Sequence, residues 1–190
     1  TTNNTIYGTR YTTLPDTGKV PLVADMSSNI LSEVYDMSRF GVMYAGAQKN
    51  IGPAGVTLVV VREDLLGKAR PSTPKIMDWT KMAEAGSMLN TPPTYAIYMC
   101  GLCLKWLKKQ GGVAAMEKRN IEKAQILYDL LDDSSLFKGV AQPASRSRMN
   151  VTFRTGDEEM DALFVKEATA KGLCSLKGHR AAGGMRASIY

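Results

Sequence analysis

Up to residue 61 the apolar positions gather in short blocks bounded by Gly, Pro, Asn and Asp. That is the pattern of strands and turns. Val20-Pro21-Leu22-Val23-Ala24 predicts a strand that delivers Asp25 at its carboxyl end. Val42-Met43-Tyr44-Ala45-Gly46-Ala47 predicts a second, followed by Gln48 and Lys49 and cut off by Gly52-Pro53. Val56 to Val61 is a near-continuous β-branched run of the kind buried on both faces of a sheet. Ile30-Leu31-Ser32-Glu33 suggests a helix that Asp25 or Ser27 would cap. Residues 1–19 read as loop and edge structure, and residues 68–92, with Pro71, Pro74 and Pro92, as a long ordered loop, a class usually reserved for function. Beyond them the period changes. Pro93 to Gln110 reads as a helix entered through proline and left through Gly111-Gly112. Met116, Ile121, Ala124, Leu127, Tyr128 and Leu131 recur at helical spacing and predict a second helix from about Val113 to Leu131. Met149 to Phe153 predicts a strand, Asp157 to Ala170 an amphipathic helix, and Leu173 to Leu176 and Met185 to Tyr190 two more strands. Strands followed by helices and a second strand set place the chain in the α/β class.

A chain of 190 residues with 44% hydrophobic composition can bury a core. Its formal charge of +6 suits anionic ligands, but the basic residues are scattered and form no aromatic-interleaved stripe, which argues against nucleic acid. No apolar run reaches the roughly eighteen residues that cross a bilayer. No signal-peptide pattern opens these residues, so a cytoplasmic location is expected. Cys100 and Cys103 form a C-x-x-C, yet they lie in an apolar stretch of helical length where cysteines pack as small hydrophobes. With one other cysteine and a single histidine in the chain, the second half of a zinc site is missing and no metal is expected.

Lys49 stands at a strand-to-loop junction, the kind of place where an amine is partly desolvated. Lost hydration disfavours the ammonium form and frees a nucleophile for Schiff-base chemistry. A solvated turn lysine is the plain alternative. Asp25, at the end of the preceding strand, fits the acid that pairs with a pyridinium nitrogen, and it fits a helix cap equally well. His179-Arg180 and Arg186 flank Gly183-Gly184, so the turn could fold two guanidinium groups toward one pocket and grip carboxylate and phosphate; surface arginines beside a hairpin would look the same. Asn90 and Thr91, ahead of Pro92-Pro93, suit either a phosphate oxygen or a helix cap. A Ser-His-Asp triad lacks any G-x-S-x-G elbow.

Four segments, in order, resemble the phosphoserine aminotransferases, pyridoxal phosphate enzymes of the aspartate aminotransferase fold type. They are Ala24-Asp25-Met26-Ser27-Ser28, Tyr44 to Gly55 with its Ala47-Gln48-Lys49-Asn50 centre, Gly86 to Tyr95, and Lys177 to Tyr190 with Gly178-His179-Arg180 and Gly184-Met185-Arg186. The resemblance implies that the chain is a fragment about half the family's length. Residues 1–110 would be the later part of a large cofactor domain with a mainly parallel sheet, running through the linking helix. Residues 111–190 would be a smaller α+β domain. The resemblance also implies pyridoxal phosphate as cofactor. Lys49 would hold it and move the proton, Asp25 and Thr5 would contact its ring, and Gln48, Asn90 and Thr91 its phosphate, the last two from the other subunit of a homodimer. His179, Arg180 and Arg186 would bind the substrate, phosphoserine, with glutamate and 2-oxoglutarate as the other partners. One departure stands out: the family usually has Arg-Pro after Ser32, and this chain has Glu33-Val34.

Overall fold

The computed structural model describes all 190 residues. In chain order its elements are β1 (Asn3–Asn4), β2 (Thr9–Arg10), β3 (Val23–Asp25), β4 (Val42–Gly46), β5 (Thr57–Val61), α1 (Trp79–Glu84), α2 (Thr94–Lys109), α3 (Gly112–Asp133), β6 (Lys138–Gly139), β7 (Asn150–Arg154), α4 (Glu158–Ala170) and β8 (Met185–Ser188). The α/β class holds. Within these residues, however, the central sheet is mixed instead of mainly parallel: β3 and β4 are parallel, with Asp25 opposite Tyr44, and β5 returns antiparallel to β4. The return is forced by the connection. Residues 47–56 form a loop too short for the crossover that a parallel neighbour needs.

The buried apolar residues form two clusters. Ala24, Met26, Ile30, Phe40, Met43, Ala45, Ala47, Ile51 and Cys100 make the first, joining β3, β4 and the loop after β4 to α2. Gly52 lets that helix approach, because a β-carbon there would lie 2.4 Å from the Cys100 sulfur. The second cluster joins α3 to the antiparallel sheet β6-β7-β8 through Ala124, Tyr128, Leu131, Val151, Phe153 and Met185. Phe137, Phe153 and Phe164 meet edge-on beside it, with ring centres 4.9 to 6.1 Å apart. Cys100 and Cys103 lie on α2, Cys100 buried in the first cluster and Cys103 half-buried.

A polar seam fastens the two clusters together. The buried Asn3 side chain donates to Ser28 Oγ (2.8 Å) and Asn150 Oδ1 (2.9 Å) and accepts from Ser147 Oγ (2.5 Å). Ser28 returns a hydrogen bond to the Asn3 carbonyl, and Ser147 Oγ accepts from the backbone of Met149 and Asn150. Beside it Glu33, also buried, pairs with Arg10 (3.0 Å) and Arg148 (3.3 Å) and accepts from the Tyr35 hydroxyl (2.8 Å). Burial and Glu33 both push the Tyr35 hydroxyl well above its ordinary range, so it remains a donor.

Several local expectations gave way to tertiary chemistry. Ile30 to Glu33 is a chain of turns with Leu31 at φ 59°, not a helix. Its polar side chains compete with the helical ladder: Ser32 Oγ bonds the Asn29 carbonyl at 2.7 Å, and Asn29 bonds Thr2 and Tyr35. The run through Val61 is an edge strand, with Leu58, Val59 and Val60 exposed by 42, 43 and 42%; β4 covers one edge, and no helix of these residues lies across it. Leu173 to Leu176 forms no strand. Ser175 sits at φ 62°, and only Lys177 bridges Met185. The long loop of 68–92 contains α1, whose first turn is capped by Asp78 accepting from the Thr80 amide.

Asn3→Ala should lower stability to urea by about 3 kcal/mol, because three buried partners lose their hydrogen bonds at once. A loss under about 1 kcal/mol in equilibrium denaturation would show that the seam is not what holds the clusters together.

Candidate active site

The parallel pairing of β3 with β4 brings two strand ends side by side, with Asp25 as the last rung of one and Lys49 just beyond the other. Asp25 ends β3, with Oδ1 accepting from the Ser27 amide at 2.8 Å. This is a local turn and not a helix cap, since no helix follows. Lys49 lies three residues past the end of β4, in a loop braced on both sides. Ala47 donates its amide to the Val56 carbonyl, its own carbonyl accepts from Ile51 and Gly52, and Asn50 Nδ2 bonds the Ile30 carbonyl at 2.5 Å. Sequence reasoning overlooked Asn50, although an amide directly after the lysine was the available signal.

Half-buried Lys49 donates from Nζ to Thr5 Oγ1 at 2.7 Å. Loss of hydration pulls its amine below the ordinary lysine range. Asp25 opposes that shift and Arg186 adds to it. Arg186 reaches the same place from β8, with Nη1 donating to the Thr5 carbonyl at 3.4 Å, while its buried Nε has no partner within the chain. Thr5, Asp25, Lys49 and Arg186 are thus assembled from four separated parts of the sequence. An amine of lowered basicity between a carboxylate and a guanidinium whose donors are not all spent is suited to carbonyl chemistry on an anionic ligand.

The remaining candidates sit farther out. Exposed Gln48 folds back over Gly46, where an added β-carbon would meet its Oε1 at 2.5 Å. The turn between Lys177 and Arg186 is closed by Gly178 donating to the Gly184 carbonyl (2.9 Å) and Arg186 to the Leu176 carbonyl (2.7 Å). Gly178 must be glycine, for a β-carbon would come within 2.1 Å of the Gly183 carbonyl. At the tip of this turn His179 Nδ1 accepts from the Ala181 amide, and Arg180 is exposed with no carboxylate partner. Asn90 and Thr91 lie in the exposed loop before α2 and bond only each other, at 3.5 Å. The structure therefore unites Lys49, Asp25, Thr5 and Arg186, and gives Asn90 and Thr91 no hydrogen bond to them. A cavity of about 570 Å³ opens against the Lys49 loop from the side of α2 and α3, with Trp106, Leu107, Arg119 and Lys123 among its lining residues. Burial, then Arg119, pushes the Lys123 amine down; nothing in the sequence pattern marked that side chain.

No group of His, Cys, Asp and Glu is arranged to hold a metal ion, and no helix is long and apolar enough to cross a membrane. Residues 1–190 match the family described as aminotransferase class-V. A phosphoserine aminotransferase from Lysinibacillus sphaericus is 56% identical over 191 residues, covering 100% of this chain and 53% of that protein. Among solved structures, the phosphoserine aminotransferase from Bacillus circulans subsp. alkalophilus superposes with a TM-score of 0.97 at 46% identity, over 100% of this chain and 53% of its own. A pyridoxal phosphate-bound phosphoserine aminotransferase from Trichomonas vaginalis gives 0.94 at 40% identity, over 100% of this chain and 54% of its own. The chain spans about half the length of the relatives it matches.

Only the uncharged amine reacts with acylating reagents, so Lys49 should label with a midpoint below the ordinary lysine value of about 10.4. Arg186→Gln removes a cation and should raise that midpoint; Asp25→Asn removes an anion and should lower it further. Competitive labelling read by mass spectrometry checks both signs. A midpoint indifferent to both substitutions would mean that the three charges do not share a site.

Proposed function

The chain belongs to the aminotransferase class-V family, and from that premise we propose that it is the lysine-bearing half of a phosphoserine aminotransferase. The reaction would exchange an amino group between phosphoserine and 2-oxoglutarate, giving 3-phosphohydroxypyruvate and glutamate in serine biosynthesis. One observation carries this reading: Lys49, its amine pulled down by burial, shares a site with Asp25, Thr5 and Arg186 at the ends of two parallel strands. Outside the carboxyl ends of strands is where open α/β sheets take their ligands.

The residues present fit pyridoxal phosphate, because an amine of lowered basicity faces a carboxylate, and an arginine Nε is buried without a partner. When bound, that cofactor supplies an aldehyde that condenses with amines and a pyridinium ring that withdraws electrons. Asp25 would hold the ring proton, Thr5 would orient the ring edge, and Gln48 would meet the phosphate. Asn90 and Thr91 would complete the phosphate site of a second subunit, which accounts for a polar pair lying exposed and idle in its own chain. Lys49 Nζ would take the proton from the substrate Cα, which requires it uncharged, as its burial favours. Arg186, with His179 and Arg180 on the same turn, would hold the substrate's carboxylate and phosphate. Residues 1–110 would serve the large domain and residues 111–190 the small one, in a cytoplasmic homodimer.

Borohydride reduction of the protein loaded with pyridoxal phosphate, followed by peptide mapping, should place the label on Lys49, and Lys49→Ala should abolish it. Label on another lysine would overturn the assignment. Asp25→Asn should leave the cofactor bound but cut turnover by orders of magnitude. Residues 1–190 by themselves should form no glutamate from phosphoserine and 2-oxoglutarate, because half of the relatives' length is not there to complete the site.

A further inference from the structure

Ser27 occupies a position that regular backbone geometry leaves open. In the parallel ladder of β3 and β4, Met26 donates its amide to the Tyr44 carbonyl at 2.8 Å, and the next rung should send the Gly46 amide to the Met26 carbonyl. That carbonyl is already engaged, accepting from the amides of Asn29 (3.0 Å) and Ile30 (2.7 Å) to close the turn that leads the chain away. The Gly46 amide donates instead to Ser27 Oγ at 3.0 Å. Meanwhile the Ser27 amide donates to Asp25 Oδ1 at 2.8 Å. A single residue thus holds the carboxylate at the end of one strand with its amide, and the end of the strand that leads to Lys49 with its hydroxyl.

We propose that Ser27 is a positioning residue for the Asp25–Lys49 pair, its hydroxyl standing in for the missing ladder acceptor and setting how far the two strand ends lie apart. The inference rests on the role given to Lys49 above. Alanine at this position keeps the hydrogen bond from its backbone amide to Asp25 Oδ1 and loses the tie to Gly46. The lysine loop remains anchored from behind by Ala47 on Val56 and by Asn50 on Ile30, so the fold has no need of Ser27 while the front of the loop does. Strand ends freed in this way let the amine drift from Thr5 and regain water. Even a displacement of about 1 Å costs a catalyst on the order of a hundredfold.

The test compares Ser27→Ala and Ser27→Thr with the parent protein in amide hydrogen exchange at Gly46, pH-resolved labelling of Lys49 and thermal melting. Ser27→Ala should speed Gly46 exchange at least tenfold and raise the Lys49 labelling midpoint, with melting nearly unchanged; Ser27→Thr, which keeps the oxygen, should restore both. Should the alanine variant fail to fold, Ser27→Cys, a weaker acceptor of similar size, should move both readouts in the same direction. Gly46 exchange and Lys49 labelling unaltered in the substituted proteins, or a change confined to melting, would overturn the proposal. Neither readout depends on transamination, so failure of the aminotransferase reading leaves this result separately legible.

Discussion

The Asn3 side chain is the constraint on which the other long-range contacts rest. An amide offers two donors and one acceptor oxygen, and here it bonds Ser28 in the turn after β3, Asn150 in β7 and Ser147 before it. In water each of these bonds would be worth little. Buried between two apolar clusters they decide alignment, because a slip would strand several polar groups at once without solvent. The seam thereby fixes the strand ends of the first cluster relative to the sheet of the second.

The site inherits its geometry from that alignment. Thr5 lies two residues beyond Asn3, so the bond that seats Asn3 also places the hydroxyl that receives Lys49 and the carbonyl that receives Arg186. Lys49 comes from the first cluster's sheet and Arg186 from the second's, and the N-terminal arm between them touches both. The electrostatics are balanced at short range: burial and Arg186 drive the amine toward its neutral form, and Asp25 restrains the shift. An isolated turn lysine would have neither influence.

Glu33 shows how a buried carboxylate is accommodated. A carboxylate buried here would be costly alone. Arg10 and Arg148 reach it from two directions, Arg148 continues to Glu117, and Tyr35 and Asn29 supply further hydrogen bonds. Breaking such a cluster by losing one partner costs more than the cluster contributes. Its effect is alignment: it ties β2, the turn after β3 and the segment before β7 along the same line as Asn3.

The sequence by itself determined what depends on near neighbours. Helix periods placed α2, α3 and α4 to within a residue or two of their ends, because the 3.6-residue repeat and the glycine and aspartate caps are local. Residue type and flanking turns marked Lys49, Asp25 and Arg186 as candidates, and the fold sets them around Thr5. Contacts between residues far apart in the chain were decided only by the tertiary structure. β5 reads as a buried strand because its residues are apolar, yet what covers a strand is a matter of neighbours. Ile30 to Glu33 reads as helix by composition, and its backbone carbonyls were claimed by side chains as distant as Asn50 and Asn120. Ser27 reads as a cap, and it became a rung because the turn consumed the carbonyl that Gly46 needed. Propensity speaks for a few residues at a time, whereas a buried polar group is satisfied by whichever part of the chain the fold brings to it.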